Sequence, residues 1–183
     1  MNTKVIAMYI CLISACPAIY AQSKNQPKDA RAAAQTFFSL LKSQQYTSLY
    51  DFLPSDFQRQ ITREQLALSM KRLDSFIVVE RMEISRVQQK GDLAVIDTTI
   101  YGRLKKPLKR NEEEVTEGRV SVQQYLFKEA GKWKIATADN RTRDFFLKRH
   151  PEFDQKFQLT QPKFEFKQGG RWTPLTPAMT RPQ

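Results

Sequence analysis

VSVQQYLFKEAGKWKIAT, at residues 120–137, is the stretch that predicts how this chain folds. Both arms are rich in β-branched and aromatic residues, and the break between them, residues 129–132, contains Gly131. Two such arms around a short glycine-containing break are typical of a tight antiparallel hairpin. We therefore predict a β-hairpin here, and we expect the upstream segments to cover or extend it.

The length of the hairpin loop decides which residues pair across it. A loop of two or four residues places Lys128 opposite Trp133 and Leu126 opposite Ile135, whereas a three-residue loop places Phe127 opposite Trp133. The first register continues the alternation of valines at the start of the stretch, so we prefer it. In that register Trp133 belongs to the core.

Length and composition predict one well-packed domain with attachments. The chain has 183 residues, of which 40% are hydrophobic, and a formal net charge of +11. The basic residues are spread along the whole chain instead of forming one patch. In the basic segment that ends at Arg110 no aromatic platform interleaves with the cations, and the acidic residues after it largely cancel their charge. We therefore expect no nucleic-acid partner, because such binding needs a concentrated basic surface.

Residues 1–21 have the pattern of a signal peptide. Lys4 precedes an apolar run at residues 5–15, which is too short to span a membrane, and small residues follow it. Two processing sites remain open. Cleavage after Ala21 gives a periplasmic or secreted protein, whereas Ile13-Ser14-Ala15-Cys16 resembles a bacterial lipobox, whose cysteine becomes a lipid anchor in the envelope. We expect no other attachment to a membrane.

The few cysteines and the single histidine limit the chemistry that is available. Cys11 and Cys16 both lie in the signal segment, so cleavage after Ala21 leaves neither a disulfide nor a cysteine metal site. His150 precedes a proline in a charged stretch, where we expect an exposed loop residue. We predict no metal and no cofactor.

Helical spacing begins after a polar linker at residues 22–28. Apolar residues recur through residues 29–43 at the intervals of an amphipathic helix, and residues 46–53 predict a second short helix capped by Thr47. A third helix begins at Thr62, which forms a capping-box pair with Gln65. Its predicted buried stripe consists of Leu66, Met70 and Leu73.

The period changes from helical to alternating at residue 76. We expect Phe76, Val78, Met82 and Ile84 to share one strand face, with a turn at residues 89–92 and another strand after it. The next segment has basic residues up to Arg110 and acidic residues from Glu112. Folded as a long hairpin about Asn111, these arms place cations opposite anions, and we expect a solvated tip.

The predicted order of elements is three helices followed by a meander of strands. The meander contains the turn Lys90-Gly91-Asp92-Leu93-Ala94 and ends with Gly131-Lys132-Trp133-Lys134-Ile135. Over residues 29–140 this order resembles the nuclear-transport-factor-two-like (NTF2-like) superfamily. Ketosteroid isomerases, polyketide cyclases and small exported bacterial domains share that fold. The resemblance implies an α+β cone, in which N-terminal helices pack on a curved antiparallel sheet that leaves a cleft at its mouth.

The last 40 or so residues are expected to extend this cone. Residues 143–149 predict one or two helical turns, and residues 161–176 predict a second hairpin, in which FEFKQGGRW resembles the YLFKEAGKW of the first. We therefore assign residues 29–140 to the cone and residues 141–176 to a helical turn and a C-terminal β-hairpin extension. Residues 177–183 are expected to be a flexible tail. Trp172 should be less buried than Trp133.

The candidate site residues are few. Asp97 and Asp139 are weak candidates for a catalytic general base, and Asp97 falls on the strand face opposite Ile96, where we expect a solvated side chain. The resemblance implies a cleft, for which the aromatic residues of the helical half are candidate lining: Phe38, Tyr46, Tyr50 and Phe52.

These observations favour an exported, non-catalytic binding or accessory module of the bacterial envelope, with a small amphipathic or anionic ligand. One alternative is an isomerase-like or cyclase-like enzyme that uses Asp97 or Asp139. Another is a subunit that docks on an envelope protein. The general field of a basic protein attracts anions, which is consistent with the first hypothesis.

Overall fold

The computed structural model describes residues 28–110, 113–136 and 140–175, which form an α+β fold with N-terminal helices and a six-stranded antiparallel sheet. The predicted fold class is confirmed. The helices of the first half are α1 (Ala30–Lys42), α2 (Tyr46–Leu49), a 3-10 turn (Tyr50–Phe52), α3 (Ser55–Gln58) and α4 (Arg63–Asp74). The remaining elements are β1 (Ile77–Lys90), β2 (Leu93–Arg110), β3 (Glu113–Glu129), β4 (Lys132–Ala136), α5 (Asn140–Arg149), α6 (Glu152–Lys156), β5 (Lys163–Gln168) and β6 (Arg171–Pro174).

Helix α1 forms where the apolar spacing predicts it. The Asp29 carboxylate caps the helix by accepting a hydrogen bond from the Ala32 amide at 2.8 Å, which satisfies one of the free amides of the first turn. The three alanines at 30, 33 and 34 are buried and allow the helix to lie close to the sheet.

The second helix is shorter than predicted. Helix α2 has a single turn that begins at Tyr46 and continues as the 3-10 turn, and its N-cap position is Gln45, without a side-chain bond. The prediction of Thr47 as the cap is therefore wrong, because Thr47 lies inside the turn. Pro54 follows this region, as expected, and α3 then adds a further turn.

The capping box that starts α4 is confirmed. The Thr62 hydroxyl accepts a hydrogen bond from the Gln65 amide, and the Gln65 side chain accepts one from the Thr62 amide at 2.8 Å. Leu66 is buried and Met70 packs beside it. Leu73 is instead 47% exposed, so its predicted place in the buried stripe is wrong. The helix ends one residue later, and the packed cluster of the helical half does not extend to Leu73.

The sheet is organised around β3. Its strand order is β1-β2-β3-β5-β6, and β4 pairs with the same edge of β3 that β5 uses. Residues 125–129 of β3 pair with β4, whereas residues 118–121 pair with β5. Strand β4 and the C-terminal hairpin of β5 and β6 thus share one edge of β3.

The register predicted for the central hairpin is confirmed. Lys128 lies opposite Trp133 and Leu126 lies opposite Ile135, around the two-residue turn Ala130-Gly131. Both turn residues have positive φ angles, 47° and 74°, which is the backbone of the tight turns that suit twisted strands. Trp133 is only 2% exposed, whereas Trp172 is half-buried, as predicted.

Strand β1 differs from its predicted pattern because it contains two β-bulges. They fall between Val79 and Arg81 and between Ile84 and Arg86. Each bulge adds a residue and shifts the alternation, so Val78 pairs with Arg103 on one face while Met82 pairs with Ile100 on the other. The prediction that Phe76, Val78, Met82 and Ile84 share a face is therefore wrong: the first two are exposed, and Phe76 precedes the strand.

The long hairpin of β2 and β3 pairs opposite charges, as predicted. Lys109 lies opposite Glu114, and Arg110 lies opposite Glu113. Residues 111 and 112, at the predicted tip, lie outside the described residues. The signal segment, Cys16 and the C-terminal tail also lie outside them.

One hydrophobic core lies between α1 and the sheet. It joins the alanine face of α1 to buried residues of β2, β3 and β4, with Ile84 and Val87 of β1 at its margin. The buried strand residues are Ala94, Ile96, Leu126, Trp133 and Ile135. Burial of this face explains why the α1 sequence carries small residues where it meets the strands.

A second core covers the opposite face of the same sheet. Helices α5 and α6 pack an aromatic cluster against it, in which the Tyr125 ring stacks 5.7 Å from Phe146 and Phe153 lies 5.2 Å from Phe146. Residues 143–149 were predicted as one or two helical turns, and α5 has ten residues. The segment after residue 140 therefore forms a layer over the sheet.

His150 belongs to this second core. Its ring lies 4.5 Å from Phe146 and 4.7 Å from Phe127, and its Nδ1 lies 3.2 Å from Glu152 Oε1. His150 lies between α5 and α6, as predicted for a loop residue, but the prediction that it is exposed is wrong, because its ring packs on the aromatic cluster at the end of α5.

The C-terminal hairpin extends the sheet. Strands β5 and β6 turn at Gly169-Gly170 and place Lys167 opposite Trp172, which repeats the register of Lys128 and Trp133. The Trp172 ring contacts Tyr101 at 5.9 Å, and the Arg119 guanidinium lies 4.5 Å from its centre. The shared sequence pattern thus corresponds to the same local geometry.

Candidate functional site

Asp97 lies on the face of β2 that is opposite Ile96, as predicted. Its carboxylate accepts a hydrogen bond from Gln123 Nε2 at 2.9 Å and pairs with Arg86 Nε at 3.1 Å. The side chain is 30% exposed and its neighbours are polar. These contacts keep Asp97 in a cross-strand network on the opposite side of the sheet from α1. Asp139 lies outside the described residues.

The two tyrosines among the predicted cleft residues serve the packing of the helical half. Tyr46 is buried, and its hydroxyl donates to the Asp74 carboxylate; burial, helped by Asp74, raises the pKa of this phenol. The Tyr50 hydroxyl donates to the Gln58 carbonyl at 2.9 Å. Both hydroxyl groups are thus engaged within the helical half.

The two phenylalanines of the predicted cleft are separated. Phe52 packs edge-on against Phe37, with 5.9 Å between the ring centres. Phe38 lies on another side of α1, where it lines a groove. The four aromatic residues predicted as one lining are therefore not brought together, because Tyr46 and Tyr50 join the helical cluster and Phe52 joins Phe37 at the first core.

The groove that Phe38 lines runs between α1 and β1 and has a volume of about 430 Å³. One helical stripe and three positions of β1 form its walls: Arg31, Gln35, Phe38, Ser39, Lys42, Arg81, Met82 and Ile84. Because residues at i, i+4, i+7, i+8 and i+11 share one side of a helix, this stripe was readable in the sequence beside the apolar one. We call this feature the α1–β1 groove.

Two cations of the α1–β1 groove are free to meet an anion. Neither Arg31 nor Lys42 has an ion-pair partner among the described residues. Arg81 differs, since its guanidinium pairs with Glu83 and stacks 3.5 Å from the centre of Tyr101. Among the described residues, these two cations of the helical wall therefore have no carboxylate within ion-pair distance.

The floor of the groove is apolar and continues across the sheet. Met82 lies opposite Ile100, Ile100 lies opposite Val120, and Val120 lies opposite Phe164. These four residues form an apolar row in register across β1, β2, β3 and β5. Phe164 is 44% exposed, and the other three are half-buried. The row thus leaves apolar surface accessible beside the groove.

The lining of the α1–β1 groove offers little catalytic chemistry. Among the described residues that line it, none is a carboxylate, a histidine or a cysteine. The described residues also contain no group of three His, Cys, Asp or Glu that could hold a metal ion. Cations at a rim above an apolar floor suit a molecule with one anionic and one apolar part.

Comparison with known proteins adds little. No protein-family model matches the chain, and no curated protein matches it. Among solved structures the chain is similar to a protein assigned as a calcium/calmodulin dependent protein kinase II association domain from Xanthomonas campestris. The identity is 17%, the match covers 60% of this chain and 86% of that chain, and the TM-score is 0.34. A similarity at this level carries no argument about ligand, activity or assembly.

Proposed function

We propose that this protein is an exported, non-catalytic binding module of the NTF2-like superfamily that holds a small amphipathic anion in the α1–β1 groove. The observation that carries this proposal is the presence of two cations without an ion-pair partner among the described residues, Arg31 and Lys42, above the apolar side chains of Phe38, Met82 and Ile84.

The polar end of such a ligand meets the helical wall. A carboxylate, sulfate or phosphate accepts charge-assisted hydrogen bonds from Arg31 or Lys42, and these are stronger than bonds between neutral groups. Gln35 and Ser39 lie on the same stripe and add neutral donors. Because both cations are already on the surface, an anion gains their attraction without breaking an existing ion pair.

The apolar end of the ligand meets the floor. Removing apolar surface from water stabilises a complex by about 25 cal/mol per Å² before the costs of association are subtracted. Met82 and Ile84 supply this surface in the groove, and Ile100 continues it on the same face of the sheet. A purely hydrophilic anion lacks this contribution and is expected to bind more weakly.

We favour a protein that binds its ligand without converting it over an enzyme. A general base must lie within hydrogen-bond reach of the proton that it removes. Asp97 projects from the face of the sheet opposite Ile96, whereas Met82 and Ile100 share the groove side. The groove lining therefore offers an anchor for charge but no described acid–base group.

Isothermal titration calorimetry with decyl sulfate, decanoate and decanol tests the proposal. The two anions should bind more tightly than decanol, and Arg31→Gln/Lys42→Gln should weaken their binding at least tenfold, about 1.4 kcal/mol. The matched control is Lys132→Gln/Lys148→Gln, which removes two exposed cations elsewhere and should leave the affinity unchanged. Failure of every anion to bind, or equal affinities of both double variants, would contradict the proposal.

Export of the protein is a separate part of the proposal, supported by the pattern of residues 1–21. No helix among the described residues has the length and apolar character needed to cross a membrane. We expect the protein from its native host to begin at Gln22 or at a lipidated Cys16. Mass spectrometry of the purified chain measures this, and intact Met1 in the cytoplasmic fraction would refute export.

A further inference from the structure

The turn between α4 and β1 carries an aromatic side chain that the fold leaves in water. Phe76 is 68% exposed, more than any other exposed large apolar residue among the described ones. Its amide donates to the Leu73 carbonyl at 3.0 Å, and Leu73 is itself 47% exposed. An exposed leucine and an exposed phenylalanine therefore lie together at the end of α4.

Three cations lie next to this pair, two of them along α4 and one across the backbone pairing with β2. Lys71 and Arg72 occupy the last turn of α4, and the Lys105 amide donates to the Phe76 carbonyl at 2.8 Å, so Lys105 is its neighbour on β2. All three side chains are exposed, and none of them has an ion-pair partner among the described residues. We call Lys71, Arg72, Leu73, Phe76 and Lys105 the basic–apolar tip.

One acidic residue offsets part of this charge. Asp74, which accepts the hydroxyl hydrogen bond of Tyr46 and lines a small hollow with Lys105, cancels one of the three positive charges and leaves the tip with a net charge of about +2. Glu80 is engaged elsewhere, since it pairs with Arg103 at 2.6 Å. Favourable interaction with the helix dipole accounts for Lys71 and Arg72 at the end of α4. It accounts neither for Lys105, which lies on a strand, nor for the exposure of Phe76.

Exposed apolar side chains among unpaired cations have the composition of a surface that meets anionic lipid. The ring and the leucine can enter the boundary between headgroups and acyl chains, while each Lys or Arg near an anionic bilayer contributes about 1 kcal/mol. Phe76 lies in a turn and is mostly in solvent, so it can enter this boundary without unfolding an element. We propose that the basic–apolar tip docks the protein peripherally on an anionic lipid surface, a membrane contact beyond the lipid anchor that the sequence analysis allowed.

This proposal is independent of the ligand in the α1–β1 groove, because it uses different residues. It is tested by co-sedimentation of the full chain with vesicles of phosphatidylcholine, with and without phosphatidylglycerol. The quantity measured is the increase in bound fraction that phosphatidylglycerol causes, and it is compared between the unsubstituted chain and variants that carry the same N-terminal run. We expect binding that requires phosphatidylglycerol and falls as salt screens the charges.

Variants locate the contact. Phe76→Ala should reduce the phosphatidylglycerol-dependent partition coefficient about tenfold. Lys105→Gln should reduce it about fivefold, and this fivefold change is the equivalent of roughly 1 kcal/mol. Both residues are exposed, so thermal unfolding should show that the variants fold normally. Phe164→Ala and Lys148→Gln are matched controls, each removing an exposed side chain of the same type at another place.

Equal binding to both vesicle types would overturn the proposal, and so would losses in the controls as large as those in the tip variants. Absence of vesicle binding, together with capture of an acidic protein that depends on Phe76, would assign the tip to a protein partner and overturn it as well.

Discussion

The Lys128 ammonium group lies 5.1 Å from the centre of the Trp133 ring, across the pair formed by β3 and β4. The indole is buried in the first core, and the ammonium group lies over it with its stem partly exposed. One cross-strand pair thus joins a core anchor to a surface charge that also pairs with Asp92 Oδ1 at 3.2 Å.

Replacing Trp133 with alanine should remove this anchor. We expect Trp133→Ala to lower the free energy of unfolding by about 3–5 kcal/mol, the usual range for a large aromatic residue in a core. Trp172→Ala should cost less, because the Trp172 ring is half-buried at the edge of the sheet. Denaturant unfolding of both variants measures the difference, and similar small losses would contradict the central position of Trp133.

The start of α4 can be tested with two threonines. Thr62→Ala removes a side chain that caps the helix and should cost about 1 kcal/mol of stability. Thr47→Ala is the matched control, because Thr47 is exposed and caps no helix, so its effect should stay within about 0.5 kcal/mol. Urea unfolding measures both, and a larger loss for Thr47→Ala would reverse the assignment of the cap.

The second core predicts that the C-terminal helices are needed for stability. Phe146 contacts Tyr125, Phe127 and Phe153, so Phe146→Ala should destabilise the fold by about 3–5 kcal/mol. Phe164→Ala removes an exposed ring and should cost far less. The check is calorimetric unfolding of both variants. If Phe146→Ala left the free energy of unfolding unchanged, the packing of α5 on the sheet would not contribute to stability.

Glu165 should make stability depend on pH. Its buried carboxylate accepts from Arg119 Nε at 2.8 Å and pairs with Lys163, and these contacts lower the pKa of Glu165 against the opposing effect of burial. A carboxyl group with a lower pKa in the folded state adds stability above its unfolded pKa of about 4.3, and this is lost as the pH falls through the folded value.

Glu165→Gln should therefore lower the free energy of unfolding at neutral pH, and the difference from the unsubstituted protein should shrink in the acid range. Chemical unfolding across that range measures this. Glu117→Gln is the control, because Glu117 pairs with Lys167 at a more exposed position and should have a smaller effect. A difference for Glu165→Gln that is constant with pH would mean that the carboxylate pair does not stabilise the fold.

Local patterns predicted much of the fold because their causes are local. The alternation around Gly131 determined the register of the central hairpin, and the Thr62–Gln65 spacing determined the start of α4. The bulges of β1 were missed because an extra residue leaves no mark in an alternating pattern until its partner strand is known. His150 was missed for a related reason, since its aromatic neighbour Phe127 is distant in sequence.

The candidate site was less predictable than the fold. The aromatic residues of the helical half suggested one cleft, but Tyr46 and Tyr50 bind polar partners inside the helical cluster, and only Phe38 reaches the α1–β1 groove. The stripe that includes Arg31 and Lys42 is visible in the sequence. Its importance became clear only from the absence of acidic partners around it among the described residues.

Strand β4 and the C-terminal hairpin share one edge of β3, and this limits the exchange of strands between copies of the protein. A strand docked alone can slip by two residues and keep its faces, which invites exchange of strands between copies. Here Gln123 occupies the interval between the hairpins, donating to the Gln158 carbonyl at 3.3 Å and accepting from the Thr160 amide at 2.8 Å. Slippage toward β4 meets a strand that is already paired, and slippage away breaks both bonds. The C-terminal hairpin can therefore pair with β3 of its own molecule in one register only, and this disfavours domain-swapped dimers.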